Sequence, residues 1–321
     1  MDARCGAGAA PSLRGGDLGL TGSRRAVPGP VEVAPGWGEA IVAWGRASGR
    51  DLPWRQTRDP WAVLVSELML QQTQVARVLP RYLAFLARFP DPAAAADASV
   101  GEVIGLWAGL GYNRRAVHLH SAAVRIVDHH GGRLPADLAL LQALPGIGPY
   151  TARAILAFAF EQPVGVLDTN AARVLARAAA GRPLRPAEAQ RLADAVVPPG
   201  RSWAYNQAVL DLGATVCTSR RPGCGSCPLA PRCAWGRRGW AAPDPAVGTA
   251  GASTGQSGFS GSDRQGRGRL VGALRSGPVP THELAAAAGW PDDPDRARRV
   301  AATLVADGLA VIDGAGGLQL P

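Results

Sequence analysis

One carboxylate, Glu67, interrupts the apolar run PWAVLVSELML over residues 60–70. On a helix its neighbours at minus four, minus three and plus three are Val63, Leu64 and Leu70, with Gln71 at plus four. A carboxyl group in aliphatic company is costly to ionise, which raises its pKa and lets it donate a proton near neutral pH. A glutamate at the edge of an apolar stripe, reaching solvent, fits the same pattern. A second carboxylate, Asp168, stands in VLDTNAARVLAR, residues 166–177. Asp168, Thr169 and Asn170 can each cap the helix that follows. Asp168 could instead face a cationic transition state as a fixed negative charge. The two roles are compatible if Asn170 takes the cap.

Two further motifs carry chemistry. In LPGIGPYTARAI, residues 144–155, two glycines flank one apolar residue just before a helix. Gly146 and Gly148 allow a tight turn and leave amides free at a helix N-terminus, where a DNA phosphate oxygen fits without any reading of base sequence. An ordinary glycine-rich helix connection is the plainer alternative. Four of the five cysteines, Cys217, Cys224, Cys227 and Cys233, lie within one short loop. Their spacing suits a zinc ion or a four-iron cluster rather than disulfides. Arg220, Arg221 and Arg232 lie between them and form a candidate phosphate clamp.

These residues need a helical frame, and the chain supplies one. From Trp37 to about Ala180 apolar residues recur at three- and four-residue spacings, with Asp59-Pro60 and Asp91-Pro92 as helix starts. Residues 1–33 read as a flexible tail, 34–240 as the main domain, and the Gly/Ser-rich 241–266 as a linker. Beyond it, helices are expected at 269–275, 281–288 and 292–307, the last with Ala301, Leu304 and Val305 inward. LAVIDGAGGLQL then reads as two strands around a turn. Residues 267–321 therefore suit a winged-helix-like module, which can bind DNA or protein.

The 321 residues carry a formal charge of +9 and are 47% hydrophobic, a balance that suits a polyanionic partner and a sizeable core. All 34 basic residues are arginine. With no lysine, lysine Schiff-base chemistry is excluded. No apolar run reaches membrane-span length and the N-terminus has no secretory h-region. A cytoplasmic, nucleoid-associated protein of bacterial type is expected.

In order and spacing, the motifs LPWR, SELMLQQTQV, GLGYNRRAVHLH, LPGIGPYTA, VLDTN and the cysteine loop resemble the helix-hairpin-helix DNA glycosylases, and among them the MutY family of adenine glycosylases. The resemblance runs from about Trp37 to Trp235. It implies a mainly α helix-hairpin-helix glycosylase fold, a [4Fe-4S] cluster on the four cysteines, and removal of adenine mispaired with 8-oxoguanine or guanine in double-stranded DNA. Glu67 would protonate the flipped adenine at N7, and Asp168, with Asn170 beside it, would stabilise the oxocarbenium-like sugar. Tyr150 would assist near the acid. Gln72 would wedge into the duplex and Tyr112 would intercalate beside the oxidised guanine. Arg55 of LPWR, Gly146, Gly148, Arg220 and Arg221 would contact DNA.

The related endonuclease III carries a lysine within its hairpin helix where this chain has Tyr150. A monofunctional glycosylase is therefore expected, without lysine-dependent lyase activity. A monomer is expected, because a lesion has no two-fold symmetry. Two departures stand out. Asn113 follows Tyr112 where many family members have a second tyrosine, which predicts a tuned wedge. The usual Nudix-like lesion-reading domain has no counterpart, so FSGSDRQGRGRL, residues 259–270, becomes either a substitute contact with the lesion strand or a linker end with a first helix. A mismatch thymine or uracil glycosylase and a non-enzymatic metal-dependent DNA-binding regulator are the alternatives. A regulator needs neither Glu67 nor Asp168.

Overall fold

The computed structural model describes residues 31–249 and 258–321. The expectations for residues 1–30 of the tail, Cys5 included, and for 250–257 of the linker lie outside the described residues. Helices α1 (Trp37–Ser48), α2 (Pro60–Leu70), α3 (Val75–Arg88), α4 (Pro92–Ala96), α5 (Val100–Leu106) and α6 (Arg114–His130) come first. Then follow α7 (Leu138–Gln142), α8 (Pro149–Phe158), α9 (Thr169–Val174), α10 (Pro186–Ala195) and α11 (Ser202–Thr215). The last group is α12 (Asp263–Leu274), α13 (Leu284–Ala288) and α14 (Pro294–Ala306).

The centre of the core is α2. Asp59 caps it by accepting from the amides of Trp61 and Ala62, and Pro60 takes the first position, where no amide hydrogen is needed. Nine of its eleven residues are buried, Ser66 and Glu67 among them. Such a helix is apolar on every side and must lie inside the protein; α3, α6 and α8 pack around it. The solvent-reaching alternative for Glu67 fails on this point.

Buried Arg115 ends α2. Its guanidinium donates to the carbonyls of Leu68 (2.6 Å), Met69 (3.0 Å) and Gln71 (2.6 Å). Its other nitrogens reach Thr73, Leu110, Gly111 and Tyr112. Burial lowers its pKa to about 10, so the charge persists at neutral pH. One cation thus satisfies the orphan carbonyls of a helix end and ties that end to the loop before α6.

The C-terminal residues depart from the sequence expectation at two points. Residues 241–249 are not a free linker: Asp244 pairs with the Arg177 guanidinium through both oxygens (2.9 and 2.6 Å), and buried Thr249 accepts from the Leu184 amide. Those partners lie more than 60 residues away in sequence, so local composition could not show them. The first C-terminal helix begins at Asp263, capped by Ser262, rather than near 269. A Cβ on Gly266 would lie 2.0 Å from the Trp290 ring, so this glycine is there for close packing.

The remaining elements follow the expected order. A tight turn at Thr281–Glu283 leads into α13, and Ala301 and Leu304 of α14 are buried with Val305 packed against them. Strands β1 (Val311–Ile312) and β2 (Leu318–Gln319) pair antiparallel, and Val279 bridges to Leu318. Residues 32–321 form one compact unit. Arg275 joins its C-terminal part to the rest, donating to the Ile104 carbonyl and to Asn113 Oδ1, both at 3.1 Å. Asn113, expected as part of a wedge, is here a docking residue.

Candidate active site

Glu67, Tyr150, Asp168 and Asn170 line one open cavity of about 1010 Å³, together with Gln72, Gly146, Gly148 and Arg55. Three separate segments deliver them. Glu67 comes from the last turn of α2, Tyr150 from the first turn of α8, and Asp168 and Asn170 from the start of α9. The run before Asp168 is held against α11 by Asn206, which accepts from the Val166 amide and donates to the Val164 carbonyl.

The two carboxyl groups sit at opposite kinds of helix end. Glu67 lies near a C-terminus, where the helix dipole disfavours negative charge, and it is only 7% exposed. Its pKa is pushed up to about 7, first by burial and further by the Asp168 charge; a hydrogen bond from Tyr150 and the Arg55 charge oppose the rise. Asp168 is the N-cap of α9: Oδ1 accepts from the Ala171 amide at 2.7 Å and Oδ2 from Asn170 Nδ2 at 2.8 Å. Burial raises its pKa, while these donors and the Arg173 charge stabilise the anion. The expectation that Asn170 must cap in its place is therefore corrected: Asp168 caps with one oxygen, and Asn170 orients the other. A carboxylic acid titrating near neutrality beside a hydrogen-bonded carboxylate is the division of labour that acid-catalysed glycosidic cleavage needs.

Arg173, which the sequence did not single out, holds Asn170 in turn. It donates to Asn170 Oδ1 (2.8 Å), the Gly213 carbonyl (2.5 Å) and the Cys217 carbonyl (2.6 Å). Gly213 admits this contact, since a Cβ there would lie 2.6 Å from Asn170 Cβ and 2.7 Å from its carbonyl oxygen. Gly213→Ala should therefore push Asn170 off Asp168. The expected outcome is loss of about 1–3 kcal/mol of stability and a fall of about tenfold or more in single-turnover base release, checked by thermal melting and a gel assay.

The hairpin glycines differ. Gly146 has φ +76°, and a Cβ would meet His118 at 2.6 Å, so the turn itself requires glycine. Gly148 has an ordinary φ of −86° and open space where a Cβ would be. Nothing inside the protein asks for glycine there. Gln72 (φ 53°) and Tyr112 (φ 45°) hold left-handed backbones on exposed loops, where Arg115 donates to the carbonyls of Gln71 and Tyr112; such a conformation costs roughly 1–3 kcal/mol and collects at functional sites. Tyr112 lies outside the main cavity, on a neighbouring cleft that also includes Gln72.

Of the four arginines expected at DNA, two are engaged inside the fold and two are exposed. Arg55 is nearly buried, and its guanidinium is bidentate to Asp211 at 2.6 and 2.9 Å. It acts on Glu67 through its charge rather than standing on the surface. Arg232 turns back to the Pro35 carbonyl. Arg220 and Arg221 are exposed on the cysteine loop, away from the cavity.

The four cysteine thiols are free and half-buried, and they line one apolar pocket with Val174, Leu212 and Leu229. Among the described residues no three His, Cys, Asp or Glu side chains stand at metal-ligating distance. The donor set nevertheless suits a soft, thiolate-held group: the Gly236 amide donates to Cys233 Sγ at 3.3 Å and Arg177 to Cys217 Sγ at 3.5 Å.

Comparison with known proteins agrees with this geometry. Residues 65–199 match the HhH-GPD superfamily of base excision DNA repair proteins. The chain is 42% identical over 289 residues to an adenine DNA glycosylase of Mycobacterium tuberculosis, covering 88% of this chain and 92% of that protein. The chain belongs to the MutY family of adenine DNA glycosylases. A thymine/uracil-DNA glycosylase of Pyrobaculum aerophilum is 40% identical over 60% of this chain and 87% of its own length. The solved structure of a thermostable thymine-DNA glycosylase superposes with TM-score 0.58 at 26% identity, covering 63% of this chain and 95% of that one. MutY membership and the mainly helical glycosylase fold thus stand together.

Proposed function

We propose that this MutY-family chain is a monofunctional glycosylase that hydrolyses the N-glycosidic bond of adenine opposite 8-oxoguanine or guanine. The observation that carries the reading is Glu67: a buried carboxyl with pKa about 7 that lines one open cavity with a hydrogen-bonded Asp168. Half-protonated near pH 7, Glu67 donates its proton to N7 of the extruded adenine, with Tyr150 orienting it. As the bond lengthens, positive charge gathers on the sugar and the Asp168 anion meets it. Water completes the hydrolysis and an abasic site remains.

The absence of lysine from the sequence, with Tyr150 in the hairpin helix, supports release without strand cleavage. Cys217, Cys224, Cys227 and Cys233 would hold a [4Fe-4S] cluster, which cross-links the loop carrying Arg220 and Arg221. Arg220, Arg221, Gly146, Gly148, Gln72 and Tyr112 would contact the duplex. Residues 263–321, with their helix–helix–helix–hairpin order, form a winged-helix-like module. We take the working unit to be a monomer in the cytoplasm.

The test is a set of duplexes containing adenine opposite 8-oxoguanine, adenine opposite guanine, thymine opposite guanine, and thymine glycol. Strand breaks at adenine only after alkali are expected. Cleavage at thymine opposite guanine would move the chain to the thymine/uracil specificity of its 40%-identical relative. Breaks without alkali would overturn the monofunctional assignment. A preparation with no release from any duplex would leave only a DNA-binding regulator.

A further inference from the structure

The second cleft, about 950 Å³, lies between the wedge loops and the C-terminal helices. Its lining includes Arg77, Arg114, Arg115, Arg264, Arg267 and Arg275, against one carboxylate, Asp307. Arg115 and Arg275 are spent on the carbonyls and the amide side chain that hold the fold. Arg114 and Arg267 converge instead on Asp307, at 3.3 and 2.5 Å, one on each oxygen. Thr303 also bonds Arg267. Two guanidinia gripping the two oxygens of one anion is the arrangement a phosphodiester takes.

Asp307 is not placed there for the good of its own helix. It is the C-cap residue of α14, where the helix dipole disfavours a negative charge. Arg114, by contrast, opens α6, whose first amides favour an anion. The Asp307 side chain is 24% exposed and Arg114 60%, so an incoming group can reach the pair.

We propose that Arg114 and Arg267 form a binding site for a backbone phosphate of bound DNA, and that Asp307 occupies this site as an internal counter-ion in the free protein. The inference rests on the DNA-binding reading above. A phosphate displacing Asp307 bridges the helical core, through Arg114 at the start of α6, and the C-terminal helices, through Arg267 on α12. Loading DNA thereby fastens the C-terminal part against the duplex. The exchange also restrains binding to undamaged DNA, because each encounter must break an ion pair.

The experiment measures fluorescence anisotropy of the full chain with an undamaged duplex over a range of salt concentrations. Asp307→Asn leaves both arginines without their resident anion. It is expected to bind about tenfold tighter at low salt, with the log–log salt slope steeper by about one. Arg114→Gln and Arg267→Gln are expected to bind more weakly, each with a slope shallower by about one. An Asp307→Asn protein that is folded by circular dichroism yet keeps the wild-type affinity and slope overturns the proposal. Should that variant fail to fold, exposed Arg114→Gln carries the test, and an unchanged slope overturns it equally. Wild-type protein that binds no duplex at any salt would instead sink the DNA reading itself, a distinguishable failure.

Discussion

Glu67→Gln will lose most of its adenine release, yet at pH 8 it will be more stable than the wild type. Glutamine fills the same volume and still accepts from Tyr150, but it has no proton to give. The expected loss is the general-acid contribution, about 10²–10⁴-fold in single-turnover rate, with duplex binding kept. The stability half follows from proton linkage. The folded-state pKa of Glu67, about 7, lies above its ordinary 4.5, so between those two pH values the native state binds more protons than the unfolded one. Stability therefore falls as pH rises through that window, by about 3 kcal/mol in all. The glutamine variant escapes this cost, so its melting advantage should be full at pH 8 and vanish below about pH 4.5. A variant that cuts normally would show the acid to be elsewhere. In the wild type the rate should fall about tenfold per pH unit above 7, where the acid is lost.

Asp168→Asn is the second large effect. Asparagine caps a helix about as well as aspartate, so the bond from the Ala171 amide survives, while Nδ2 in place of Oδ2 no longer accepts from Asn170 and stability should fall by about 1 kcal/mol, one hydrogen bond's worth. The negative charge facing the sugar does not survive. Losing one preorganised electrostatic partner typically costs about 10²–10³ in rate, and that loss is expected in base release with substrate affinity retained. A large fall in melting temperature at unchanged rate would mean that Asp168 is only a helix cap.

Both arguments depend on the order in which the fold holds these groups. Asp168 is oriented by Asn170, Asn170 by Arg173, and Arg173 by the carbonyls of Gly213 and Cys217. The loop carrying the four thiols therefore bears on Asp168 through neutral groups and a single guanidinium. Arg115 does the equivalent work for two neighbouring loops, holding the carbonyls of Gln71 and Tyr112 at the cleft that Gln72 also lines.

What the amino-acid sequence settled alone was local chemistry and its helical setting. Asp59-Pro60 and Asp91-Pro92 open helices because capping needs only neighbouring residues. The apolar run around Glu67 allowed a raised pKa but equally a solvent-reaching side chain, and it was the motif order that pointed to MutY. Tertiary structure decided everything that rests on distant partners. Arg55 looked like a surface contact until Asp211, 156 residues on, claimed its guanidinium. Asn113 looked like part of a wedge until Arg275 met it across 162 residues. Residues 241–249 looked unstructured until Arg177 and Leu184 supplied partners. Gly266 closed the expected linker until the Trp290 ring placed it inside a packed helix. Periodicity and capping report on contacts three or four residues apart, whereas an ion pair or a close packing contact is fixed by the folded geometry, and only that geometry shows which arginines are already taken.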